Sequence, residues 1–311
     1  MFAAQKLVFY YATSPVHMGA GAAVGAIDSP IQREVHTQHP VFAASGIKGA
    51  VRHHLNALWG EHDNLVKRLF GPDTGNSDHA GAVSFSDAQL VCMPVRSLKS
   101  GFVYATCPLA LARAQRLARL AGVTCQWSVP SIPANKAASH TDLLSQDRLV
   151  LEAFDFEVLA TENDRDAIGE WLAKHVLPPG PESRFFADKL RDHLVILSDT
   201  DFAHFARHGT VVEPHVRIDD LSGTASNGGL FYVENLPPES VMLGLVQSSV
   251  ERYKKDTKPE KAITDANRVL SLIFEGDGAA LPGIGNTVVQ MGANSTTGRG
   301  LILVHPVTEE A

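Results

Sequence analysis

The chain has 311 residues, 44% of them hydrophobic and 20% charged, with a formal net charge of −7. This is the composition of folded protein, enough for one elaborated domain or two ordinary ones, and it excludes disorder. The acidic balance excludes nucleic-acid binding by bulk charge, so any such contact must come from a local basic stripe. Apolar runs break within about ten residues, short of the roughly 20 that a membrane span needs. No basic, apolar and small-residue pattern marks a signal peptide. Cys92, Cys107 and Cys125 are odd in number and widely spaced, which argues against a disulfide framework or a structural zinc site. A cytoplasmic protein without membrane contact is expected.

Residues 6–13 (KLVFYYAT) read as a first strand ending at Ser14-Pro15. A loop carrying Gly19, Gly21 and Gly25 follows, presenting an isolated Asp28 and then Gln32 and Arg33. From Ser45-Gly46 the chain turns helical, with Ile47, Val51, Leu55, Leu58 and Trp59 at core spacing. Lys48, Arg52 and Asn56 lie at i, i+4 and i+8, so this helix has one basic edge.

Strands are predicted over 83–95 and 101–105, and a helix over 109–121 stopped by Gly122. The pattern gives a half-buried strand over 149–159, then helices over 163–177, 182–194 and 201–208, broken by Pro178-Pro179-Gly180-Pro181. The span 108–210 thus reads as a mainly helical insertion. Strands over 211–219 and 230–234, around the turn Leu221-Ser222-Gly223, form a long hairpin. A strand over 241–246, a helix over 261–275 stopped at Gly276, and strands over 287–291 and 301–304 complete the chain. The last two flank the loop from Gly292 to Gly300. Without insertions the order is β, α, β, β, α, β, an α+β, modified ferredoxin-like (RRM-like) core.

Several familiar motifs fail on inspection. The dinucleotide fingerprint needs a third glycine where Val24 stands, and no acidic residue closes a second strand at the required distance. The loop from Gly292 lacks the Gly-Lys-Ser/Thr ending of a P-loop, and Gly223, Ser226 and Gly228 miss the G-x-S-x-G elbow by one position. His36 and His39 have no third ligand at a plausible spacing, and His53 and His54 fit a helix surface. The run with Glu251, Arg252, Lys254, Lys255, Asp256, Lys258, Glu260 and Lys261 mixes charges and reads as solvated surface before RNA rim.

What remains suits a backbone of repeating phosphates. Lys48 and Arg52, with the open N–H groups at Ser45 and Gly46, can bind phosphate by charge and helix dipole together. Arg299 and the backbone N–H groups of the Gly292–Gly300 loop can do the same. Asp28 fits a general base or metal ligand for RNA cleavage, in which the 2′-hydroxyl is the nucleophile. In an arbitrary protein, an Asp before Ser29-Pro30 is a turn former.

Five segments together resemble the RAMP superfamily, and within it the backbone subunits of type III-B (Cmr) CRISPR effector complexes. They are HMGAGAAVGAIDSPIQREVHT from His17, SGIKGAVR from Ser45, VSFSDAQLVCMPVRSLKSGFVYATCPLALAR from Val83, GGLFYVENLPPE from Gly228 and GANSTTGRG from Gly292. They fall in the expected order along a single RAMP domain, 1–311. The resemblance implies a filament of identical copies coating a CRISPR RNA beside other type III-B effector subunits. It implies a thumb hairpin, 211–234, inserted into the guide–target duplex, and endoribonuclease cleavage of the target RNA once per copy in antiviral defence. Asp28 is then the catalytic carboxylate and the holder of a divalent cation, Mg or Mn. His17 and Glu234 are its helpers, and Arg33 and Arg217 join the RNA-binding set. A purely structural filament subunit, or a guide-processing endoribonuclease of the same superfamily, are the alternatives. Met18 departs from the smaller residue expected there.

Overall fold

The fold comes from a computed structural model, which describes residues 2–22, 25–72, 79–159, 162–253, 259 and 261–308. Strand β1 (Ala4–Ala12) is buried on both faces. Val8, Tyr10 and Ala12 enter one core cluster, and Leu7, Phe9 and Tyr11 enter the other. This two-sided burial is why β1 reads as a continuous apolar run rather than an alternation. The short β2 (Val41–Phe42) leads into α1 (Ala44–Trp59), which buries Ile47, Val51, Leu55 and Trp59. After α2 (Asp63–Phe70), the expected strand over 83–95 is two strands, β3 (Val83–Phe85) and β4 (Ala88–Ser97). The break falls at Ser86-Asp87, where the Asp87 carboxylate turns away to accept the Ala44 N–H at 2.7 Å.

Strand β5 (Gly101–Thr106) and helix α3 (Pro108–Leu120) follow as expected. The predicted strand over 149–159 is a hairpin, β8 (Arg148–Leu151) and β9 (Phe154–Val158), preceded by β6 (Lys136–Ala138) and β7 (Leu144–Ser145). Glu152, at φ +53, makes that turn. Helices α4 (Glu162–His175) and α5 (Pro181–Asp192) pack on the second core cluster. The helix expected over 182–194 ends at Asp192, and Leu194–Leu197 is a buried strand, β10, parallel to β5. Four consecutive apolar residues carry no periodicity that separates strand from helix. Helix α6 is Asp199–His208.

A two-stranded ribbon comes next, β11 (Val211–Ile218) and β12 (Ala225–Asn235), paired with each other and with no other strand among the described residues. Strand β13 (Val241–Ser248) runs antiparallel to β1. The helix expected over 261–275 begins only at α7 (Ala266–Phe274), where the Asp265 side chain caps the Asn267 N–H. Strands β14 (Thr287–Gln290) and β15 (Leu301–Pro306) close the fold.

Among the described residues thirteen strands share one sheet, in which β15, β1, β13 and β4 are consecutive antiparallel neighbours. Helices α1 and α7 lie on one face, and α3, α4 and α5 on the other. The stretch 108–210 contributes helices α3 to α6, and its strands extend the sheet outward from β5. Lys254, Lys255, Asp256, Lys258 and Glu260 of the mixed-charge run lie outside the described residues, as does Val24.

His305 on β15 is 7% exposed, and its Nδ1–H donates to Asn286 Oδ1 at 2.6 Å. Burial first, and the charge of His175 second, push its imidazole down from 6.5 to about 4. Between those values the unfolded chain binds a proton that the native chain does not, so stability falls as pH falls through the window. Chemical denaturation in that window is expected to show a shallower pH slope for His305→Gln than for the parent chain.

Candidate active site

The segment leaving β1 is stitched to the far end of the chain. Val16 bridges Leu236 and His17 bridges Ala293. The His17 ring is 7% exposed, and its Nδ1–H donates to the Glu234 carbonyl at 2.6 Å. A carbonyl only accepts, so Nδ1 carries the hydrogen of this bond, and Nε2 is the ring nitrogen left outside it. That nitrogen faces Gly19, where a Cβ would stand 2.8 Å from it. Met18 is buried at 5% exposure, and its methyl occupies the space beside Gly46. Its extra size is therefore spent in the core.

Asp28 is exposed, and one carboxylate oxygen accepts the Tyr232 N–H at 2.8 Å. Ser29 donates to Tyr232 O at 3.1 Å and accepts from Glu234 N at 2.9 Å, so this loop tip is strapped to the base of the β11–β12 ribbon. Tyr232 and Glu234 are two positions apart on one strand and so share a face. The root of β12 thereby brings Asp28, His17 and Glu234 together.

Glu234 itself is 3% exposed. Its carboxylate accepts from Thr210 Oγ1 at 2.7 Å, Ile31 N at 3.0 Å and Arg33 at 2.5 Å. Arg33, expected on RNA, is turned inward with its side chain 14% exposed. Its guanidinium also donates to Gln38 O at 2.7 Å, Ala206 O at 2.8 Å and Arg207 O at 3.3 Å. A buried carboxylate draws the nearest cation to itself, and here that cation is Arg33.

Gln32 couples this loop to α1, donating to Gly19 O at 3.0 Å and accepting from Ala43 N at 3.2 Å. Ser45 and Gly46 lie exposed at the start of that helix. Lys48 is half-buried and donates to Val83 O at 3.3 Å; burial, then the neighbouring Arg52, lowers its ammonium pKa. Arg52 lies alongside on the same basic edge.

Arg299 meets both oxygens of Glu213, at 2.8 and 2.7 Å, and so ties the Gly292–Gly300 loop to β11. It is committed to a carboxylate, where the sequence suggested phosphate. Arg217 is exposed on the outer half of the ribbon, with no side-chain partner among the described residues. One ribbon face is apolar and open, with Val216 at 46%, Ile218 at 55% and Leu230 at 55% exposure, and Leu221 stands 99% exposed at the tip.

Sequence reasoning missed Thr210, Tyr232 and Glu213, whose contacts are all distant in the chain. Gly300 has φ +80, donates to Pro15 O at 2.8 Å, and its missing Cβ would enter the Met291 carbonyl. Gly300→Ala is expected to cost more than about 1 kcal/mol, read as a lower melting temperature. His36 accepts from Arg113 at 2.9 Å, while His39 is buried. Among the described residues no group of three or more His, Cys, Asp or Glu side chains is placed to hold a metal ion.

An α+β protein with an antiparallel sheet core, a projecting ribbon and one exposed carboxylate at its root is a recognisable class. The RAMP superfamily model matches residues 9–303, and the chain belongs to that family. It is 30% identical to the CRISPR system Cmr endoribonuclease Cmr4 of Pyrococcus furiosus, over 96% of this chain and 94% of that protein. The crystal structure of oligomeric Cmr4 from Pyrococcus furiosus superposes with TM-score 0.72 at 24% identity, covering 98% of this chain and 99% of that one. The cryo-EM structure of type III-B Cmr-beta bound to cognate target RNA contains a chain of TM-score 0.71 and 19% identity, with 98% of both chains covered. No helix among the described residues is long and apolar enough to cross a membrane.

Proposed function

We propose that this chain is the backbone subunit of a type III-B CRISPR effector complex. Copies of it line a CRISPR RNA together with other effector subunits, and each copy cuts the complementary target RNA once. The observation that carries the reading is the strap between Asp28 and Tyr232. It fixes an exposed carboxylate at the root of a projecting, apolar ribbon.

A wedge of that kind fits between stacked bases, and unstacking aligns a ribose 2′-hydroxyl with its own 3′-phosphate. The ribbon is in this reading the thumb. The order β15–β1–β13–β4, with α1 and α7 on one face, supports a ferredoxin-like core beneath it. Asp28 accepts the 2′-hydroxyl proton. His17, its ring held by the Glu234 carbonyl, lines the approach. Glu234 acts as a positioning residue through its hold on Ile31, Arg33 and Thr210. Ser45, Gly46, Lys48 and Arg52 take guide phosphates, and Arg217 takes phosphate from the outer ribbon.

Among the described residues no three donors form a cage, and a single exposed carboxylate such as Asp28 suits a Mg- or Mn-type ion that keeps phosphate and water ligands. Asp28 would hold it, and it would supply positive charge to the strained phosphate.

The test is reconstitution of the complex on a guide, followed by mapping of products from a matched target. A ladder with one cut per copy is expected; a complex that binds target and yields no ladder would leave the chain a purely structural subunit. Precursor guide RNA incubated with the isolated chain is expected to stay intact, which separates this reading from guide processing.

A further inference from the structure

Arg33 links Glu234 to the carbonyls of Ala206 and Arg207 on α6, and beside those carbonyls the helix exposes a second surface. Phe154, 45% exposed, meets the His204 ring at a centroid distance of 5.0 Å, and His204 meets His208 at 4.8 Å. The planes are inclined by 73° and 46°, so the rings are not stacked face to face and ring surface stays open. Phe205, 3% exposed, backs the row from the core.

The row borders a cavity of about 500 Å³ whose lining includes His36, His39, Arg207 and His208. The Arg207 guanidinium has no hydrogen-bond or ion-pair partner among the described residues. Asp199, the one carboxylate in the lining, is occupied in accepting the Leu109 N–H at 2.8 Å. On the floor lies His39, 2% exposed, whose Nδ1 has no partner among the described residues.

Open rings at successive positions, an unpaired guanidinium and a buried polar atom in want of a partner form a definite combination. Rings take the π-face of a base, the cation takes its phosphate, and an unpartnered nitrogen favours a ligand with a polar edge over an apolar one. We infer that the Phe154–His204–His208 surface and its cavity are a stacking site for an unpaired nucleotide of single-stranded RNA.

The site rests on the reading that the chain binds RNA, and extends it to a place where a base is held. Its position follows from Arg33, which bonds both Glu234 and the carbonyls of Ala206 and Arg207. A nucleotide seated on α6 is therefore mechanically joined to the root of the ribbon, where an adjoining base would be splayed.

The full chain would be titrated with two probes, hexa-adenylate carrying one 2-aminopurine and a hexamer of abasic ribose phosphates. Quenching of the 2-aminopurine is expected, with the hexa-adenylate binding at least about fivefold tighter than the abasic chain. The double variant Phe154→Leu/His204→Leu, which keeps apolar volume in place, is expected to erase that preference and leave abasic binding unchanged. Equal binding of both probes by the parent chain, or a preference that survives in the variant, would overturn the stacking site alone. So would a variant altered in self-association and not in base preference, which assigns the surface to a second copy. A chain that binds neither probe would defeat the RNA-binding reading as well.

Discussion

Asp28→Ala in the assembled complex is expected to lower target cleavage by about 10²–10⁴-fold, the range for loss of a positioned general base. Guide binding, assembly and melting temperature should stay near those of the parent. The side chain is exposed and its single described bond is to one backbone N–H, so the fold loses little with it. Asp28→Asn sharpens the comparison. Its amide oxygen can still accept from Tyr232, which preserves the strap while removing the charge and the proton acceptor. If the strap alone mattered, Asn would cut like the parent; with the proton acceptor gone it is expected to be as inactive as Ala.

Glu234→Ala is expected to act on stability. The variant takes the carboxylate from Arg33, a guanidinium whose side chain is 14% exposed and which keeps only backbone carbonyls, and it orphans Thr210 and the Ile31 N–H. Breaking a buried pair from one side costs about 3–5 kcal/mol, because the remaining charge stays desolvated. For a chain of this size that lowers the melting temperature by roughly 5 °C or more, readable by calorimetry. Glu234→Gln keeps an acceptor for the neutral donors and should lose less. A Glu234→Ala chain that melts with the parent would show that the latch is not a stabilising element.

Much of the fold was legible because single segments carried their own signals. The apolar run of β1, the helical spacing from Ile47 to Trp59 and the turn at Leu221-Ser222-Gly223 are local facts, and β1, α1 and the ribbon lie where they put them, although Leu58 is 42% exposed and β12 starts at Ala225 rather than at 230. Strand β10 was not legible, because Leu194–Leu197 is apolar without interruption and takes its strand identity from β5 and β6 on either side. The site divides the same way. Asp28 could be singled out from its loop and its family likeness. The fates of Arg33 and Arg299 could not, since Glu234 lies 201 residues from the first and Glu213 lies 86 from the second. A loop arginine bound for solvent and one captured by a distant carboxylate look alike in sequence. The ring row on α6 was hidden in the same manner, with Phe154 and His204 joined only when β9 packs beside α6.

In the proposed mechanism the target strand supplies its own nucleophile, aligned by the ribbon and deprotonated at Asp28. A target carrying one 2′-deoxynucleotide at a mapped cut position tests it most directly, with products of the reconstituted complex resolved by length. The cut at that position is expected to disappear while every other rung of the ladder persists. Undiminished cutting beside the deoxyribose would contradict it, since the attacking oxygen would then have come from elsewhere.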